Sequence, residues 1–81
     1  MNEMEVYERM IPIFQDVFDD DTLTIQASTS ASDVDGWDSL AHIRLIVALE
    51  QAFQVRFRAS EVSSFQRVAD VVAAIIAKGA K

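Results

Sequence analysis

The chain of 81 residues contains no cysteine. It can form no disulfide staple and has no thiol of its own, which fits a reducing compartment; a cytoplasmic location is expected. It has a single histidine, His42, and no clustered metal ligands, so no resident metal is expected. Basic residues are few: seven Lys and Arg stand against thirteen Asp and Glu, for a net charge of −6 and an isoelectric point near 4.4. That balance disfavours nucleic acid and anionic membrane surfaces and makes a basic protein surface the natural complement. No apolar run approaches the ~20 residues that a bilayer demands. The opening "MNEMEVYERM" has no basic region followed by an apolar run, so no secretory signal is expected. What is present is ordinary for a folded domain: 51% apolar and 25% charged residues. Residues 1–81 are expected to form one domain, a free-standing monomer with one thin core and no room for a deep enclosed active site.

Apolar periodicity predicts helices. Met4, Tyr7, Met10/Ile11, Phe14 and Val17/Phe18 mark one from about residue 3 to 18, with Pro12 bending it or marking its true start. Asp19, Asp20 and Asp21 oppose the dipole at its end and read as solvated loop. Residues 20–38 form a long connection with Leu23, Ile25, Val34 and Trp37 as apolar anchors and a short helical turn near 31–34. A second helix runs from Ser39 to about Phe53. Its core stripe is read as Ile43, Ile46, Leu49/Glu50 and Phe53, with Leu45 flanking and Leu40 and Val47 at the edge. Ser60 reads as the cap of a short helix near 61–64. Val68, Val71, Val72, Ile75 and Ile76 give the cleanest helical pattern, stopped by Lys78, Gly79 and Lys81. "QVRFR" alternates but is too short to build a sheet. The expected fold is all-α: a small four-helix bundle of three main helices plus one short helix, with a long first loop.

Chemistry points to "DVDGWDSLAHIRL", where Ser39 stands at a helix start behind Asp33, Asp35, Trp37 and Asp38. Three readings apply. Serine at a helix start commonly satisfies an orphan backbone N–H, and Asp38 is an equally good cap that also complements the helix dipole. A nucleophilic serine would need an oriented base and an oxyanion hole. His42 at i+3 and Asp38 at i−1 are too local for the usual relay, and no G-x-S-x-G elbow is present. The third reading is covalent attachment, because a helix N-terminus favours a phosphate on its first hydroxyl. Trp37 by itself reads as a loop anchor on the core, and His42 as a helix-surface or docking residue.

"GWDSL", a following apolar helix that ends "VALEQAFQVRF", and "EVSSFQRVADVVAAI" together resemble an acyl carrier protein over nearly the whole chain. The resemblance implies a carrier, without catalysis of its own, whose Ser39 receives 4′-phosphopantetheine from coenzyme A. A phosphopantetheinyl transferase supplies the base and the Mg²⁺. Asp38 and Leu40 match the positions that flank the modified serine. Trp37, His42, Arg44, Val47 and Glu50 are the expected docking residues. The implied partners, besides the transferase, are acyltransferase or ligase and ketosynthase-type enzymes. Ile43, Leu45, Ile46, Leu49, Phe53, Val68, Val71, Val72 and Ile75 would line a core that shelters an acyl chain. The stretch 40–49 carries His42 and Arg44 but no acid, and Gln54 stands where a glycine is often found. These departures favour polyketide or other specialised acyl biosynthesis over primary fatty-acid synthesis. A peptidyl carrier, and outside the family an unmodified helical adaptor, are the alternatives.

Overall fold

The computed structural model describes residues 2–80. Helix α1 spans Glu3–Val17, α2 Ser39–Phe53, α3 Ala59–Ser64 and α4 Val68–Ala77, and a single 3₁₀ turn, Ala31–Asp33, interrupts the long first loop. No strand occurs among the described residues, so the all-α architecture expected from the periodicity is the one observed. Lys81, expected to contribute to the C-terminal stop, lies outside the described residues.

Each helix end has a local cause. Asn2 Oδ1 accepts the N–H of Glu5 at 2.9 Å and starts α1, with Glu3 and Glu5 in the first turn complementing the dipole. The helix continues through Pro12 and does not begin there. It closes when Asp19 turns to φ 51°, which lets the N–H of Asp20 reach the carbonyl of Gln15 at 3.0 Å. α4 ends in the same way at Gly79, φ 68°: the N–H of Gly79 reaches Ile76 O at 3.0 Å and that of Ala80 reaches Ile75 O at 3.4 Å. At the start of α3 the expected Ser60 cap is not used. The helix begins at Ala59, two residues earlier, and the Glu61 carboxylate reaches back to the N–H of Arg58 at 2.8 Å, a stronger acceptor than a hydroxyl.

The core is one cluster in which α1 packs on α2 and on α4. Val6, Met10 and Phe14 face inward from α1, Leu45, Leu49 and Phe53 from α2, and Val68, Val71, Val72 and Ile75 from α4. Fully burying an aliphatic or aromatic side chain of this size contributes ~1.5–3 kcal/mol, so this cluster is the main support of the fold. Two expected core positions give way to a neighbour two residues further on. Met4 is 70% exposed and Ile43 58% exposed; Val6 and Leu45 are the inward residues. In each case the two candidates stand two residues apart, roughly 200° around a helix, so if one faces the core the other faces away. Ile76, at the end of the α4 pattern, likewise faces out.

The long loop is strapped rather than loose. Ile25 and Val34 are buried in the body of the domain. The carbonyl of Thr29 accepts the N–H of Val68 at 2.8 Å and that of Ala27 accepts the N–H of Ala69 at 3.1 Å, so the loop satisfies first-turn donors of α4. Asp70 completes that turn by accepting the N–H groups of Gln66 and Arg67 at 3.0 and 3.1 Å. These bonds hold its carboxyl below the usual range, that of Gln66 most of all.

Candidate functional site

The segment "DGWDS" turns the chain from the loop into α2. Gly36 adopts φ 84°, a conformation that L side chains rarely take, and a Cβ there would meet nothing; the turn demands glycine for its backbone, not for space. Asp38 then stands extended as the N-cap of α2, and its Oδ1 accepts the N–H of Ala41 at 2.9 Å. Ser39 is the first helical residue. It is exposed, and its hydroxyl makes no hydrogen bond to another described residue. The capping reading of Ser39 is thereby overturned: its neighbour holds the cap, because the Asp38 carboxylate reaches the Ala41 N–H from the position before the helix.

Trp37 lies half-buried against α1. Its ring meets Phe14 edge-on at 5.5 Å between centroids and tilts on Phe18 at 5.8 Å. The anchoring expected of a loop tryptophan is therefore present. Its indole Nε1–H donates to Nδ1 of His42 at 3.1 Å, and the two rings stack at 6.1 Å. His42 Nε2 lies 3.2 Å from the carbonyl oxygen of Val62 in α3. His42 is thus half-buried between three segments rather than free on the helix surface, where the sequence reading put it. Glu50 is also engaged: its Oε2 accepts the N–H of Phe57 at 2.8 Å. Arg44, Leu40 and Val47 are exposed on α2, together with Ile43.

Between α2 and α3 runs an open groove of about 840 Å³. Ser39 and Asp38 stand on its border, Ile43, Ile46 and Glu50 form the α2 side, and Phe57, Val62 and Phe65 the opposite side. Of the residues expected to line an acyl shelter, Ile43 and Ile46 line this groove, whereas Leu45, Leu49, Phe53, Val68, Val71, Val72 and Ile75 are packed in the interior. The α3 side was missed in sequence. Phe57 and Phe65, which meet edge-on at 5.4 Å, were the available signal, two aromatics bracketing a short helix.

The profile for the phosphopantetheine attachment site matches residues 8–75. The chain belongs to this family. Among solved structures it is similar to the holo acyl carrier protein from Geobacter metallireducens, determined by solution NMR. That chain is 39% identical, with a TM-score of 0.83, and the match covers 89% of the present chain and 83% of the other. No match is found among curated proteins. The domain is an acyl carrier protein with 4′-phosphopantetheine as its prosthetic group, as expected from its sequence. The order of its helices and the four-helix architecture are those of the carrier fold. Carriers of this kind work with a phosphopantetheinyl transferase and with biosynthetic enzymes. Among the described residues no helix is long and apolar enough to cross a membrane.

Proposed function

We propose that Ser39 is the attachment residue and that the carrier serves polyketide or other specialised acyl biosynthesis. One observation carries the first part: the Ser39 hydroxyl is exposed at the start of α2, beside a groove, with no bond to another described residue, while Asp38 performs the capping that would otherwise occupy it. The residues present fit the group. Ser39 offers a free oxygen, the start of α2 complements a phosphodiester's charge, and the groove offers apolar surface beside it. In the loading reaction the Ser39 oxygen forms a bond to the coenzyme A phosphorus nearest the pantetheine. The bond to the other phosphate breaks, adenosine 3′,5′-bisphosphate leaves, and the hydroxyl proton passes to the transferase, which also holds the Mg²⁺. Once attached, the group supplies the thiol on which acyl chains travel as thioesters. The chain itself contributes presentation and docking, not catalysis.

The docking face is the exposed side of α2. Leu40, Ile43 and Val47 form an apolar row, and Arg44 stands exposed beside it. The stretch 40–49 holds no carboxylate, and the one that follows, Glu50, is turned to the N–H of Phe57. An apolar site bordered by an acidic side chain complements this face better than the basic surface suggested by net charge alone. This local charge, unlike the −6 of the whole chain, supports acyltransferase, ligase and ketosynthase partners of a specialised pathway.

Intact-protein mass spectrometry tests the attachment. The protein is incubated with coenzyme A, Mg²⁺ and a broad-specificity phosphopantetheinyl transferase, and Ser39→Ala is run beside it. A gain of one phosphopantetheine, absent from Ser39→Ala, is expected. A gain in both would move the attachment to another residue; no gain in either, with several transferases and folded protein, would overturn the proposal.

A further inference from the structure

The two walls of the groove are held in different ways. α2 buries Leu45, Ile46, Leu49 and Phe53. α3, six residues long, has no fully buried side chain. Besides Phe57 and Phe65, which flank it and pack partly buried against the core, polar ties fasten it. Glu61 of α3 pairs with Lys78 Nζ at 2.9 Å, and the residue before its cap, Phe57, donates its N–H to Glu50. A third polar tie, from His42 to the Val62 carbonyl, joins two residues that both line the groove.

The partners of His42 determine its tautomer. An indole N–H can only donate and a carbonyl can only accept. Nδ1 therefore accepts from Trp37, and Nε2 carries the proton and donates to Val62 O. One imidazole thereby links α3 to Trp37, and Trp37 is fixed in turn by Phe14 and Phe18 of α1. The first helix, the loop, α2 and α3 meet through this ring.

We propose that His42 is a positioning residue, a latch that holds α3 against α2 and sets how far the groove opens to the chain carried beside Ser39. The cargo clause rests on the carrier reading above; the latch itself does not, and unloaded protein tests it. Amide hydrogen exchange by NMR reads the opening of α3. In His42→Ala the Val62 and Phe65 amides should exchange roughly three- to tenfold faster, as expected for loss of one net hydrogen bond, with the amides of the α1–α4 packing much less affected. His42→Gln, which keeps an N–H donor for Val62, should recover part of that protection. The ¹⁵N spectrum of the unmutated protein should show the Nε2–H tautomer, a signature that packing alone does not impose, and it is readable even if His42→Ala fails to fold. The opposite tautomer, or α3 exchange unchanged in folded His42→Ala, overturns the latch.

On the loaded protein, hydroxylamine cleavage of a hexanoyl and an acetyl thioester is compared. Loss of the latch should change the hexanoyl rate at least about threefold and leave the acetyl rate alone. Equal effects on both, or none, would overturn the cargo clause. Failure of Ser39 to load would instead strike the carrier reading, and the exchange result on unloaded protein would still decide the latch.

Discussion

The Asp38 carboxylate accepts the Ala41 N–H at 2.9 Å and so relieves the adjacent Ser39 of the capping role that its type and position suggest. Two neighbouring residues divide two tasks: one ends the loop and starts the helix, and the other stays chemically available. A separable division has separable consequences for stability and for loading.

Asp38→Ala should lower stability by ~1 kcal/mol, the usual loss when a helix loses its N-cap. Ser39→Ala should change it by less than ~0.5 kcal/mol, as for an exposed residue without a structural bond, and should abolish loading. Urea titration of both variants with a loading assay on each checks the pair. A Ser39→Ala loss as large as that of Asp38→Ala would mean that the hydroxyl shares the cap after all.

Partner choice should respond to the exposed face of α2. Leu40→Ala and Val47→Ala remove apolar surface that is 59% and 46% exposed, so the fold should persist while transfer to a synthase partner slows. Arg44→Glu should alter the transfer rate at least about threefold with an acidic-faced partner, more at low salt than at high salt. Stopped-flow or quenched transfer assays across several ketosynthases measure this. Rates independent of Arg44 with every partner would remove the charge argument for a specialised pathway.

Acid should weaken the α3–α4 end of the molecule. Bonds to the Arg58 N–H and then to Lys78 lower the pKa of Glu61, and bonds to the N–H groups of Gln66 and Arg67 lower that of Asp70. A folded-state pKa below the unfolded value of about 4 contributes stability above that value and loses it as pH falls through the folded pKa. The urea midpoint should therefore be flat near neutrality on account of these groups and decline below about pH 4. Glu61→Gln with Asp70→Asn should start from a lower midpoint at neutral pH and show a shallower acid decline. An equally steep decline in the double variant would assign acid sensitivity to other carboxylates.

The legibility of this domain follows the range of the forces involved. α2 begins and ends where its sequence indicates, because Asp38 is a strong cap type and the apolar pattern lapses after Phe53. The α4 pattern is fully realised from Val68 to Ile75, since a short helix buried along one face leaves little choice of orientation. Met4 against Val6, and Ile43 against Leu45, were misassigned because both members of each pair are apolar and only the packing of a second helix chooses between them. The site divides along the same line. "DSL" and Trp37 are local and legible; the link from His42 to Val62 is not, because its acceptor is a backbone carbonyl 20 residues away and carries no side-chain signal. The groove's α3 side has only Phe57 and Phe65 as a local signal, and the groove itself exists only once α3 folds across α2.

Gln54 offers a test of backbone chemistry on its own. It closes α2 at φ 55°, ψ 48°, the left-handed region, while the following N–H of Val55 reaches Glu50 O at 3.2 Å. A residue with a Cβ is held there at a cost of ~1 kcal/mol relative to glycine. The side chain of Gln54 is exposed and forms no hydrogen bond to another described residue, so its removal forfeits little packing. Gln54→Gly should therefore stabilise the domain by up to ~1 kcal/mol, even though glycine also gains freedom in the unfolded chain. For a domain of this size that corresponds to a rise in Tm of about 4–8 °C per kcal/mol. Calorimetry decides it. An unchanged or lowered Tm would mean that the unfolded-state entropy outweighs the strain at this helix end, and that glutamine is tolerated there without cost.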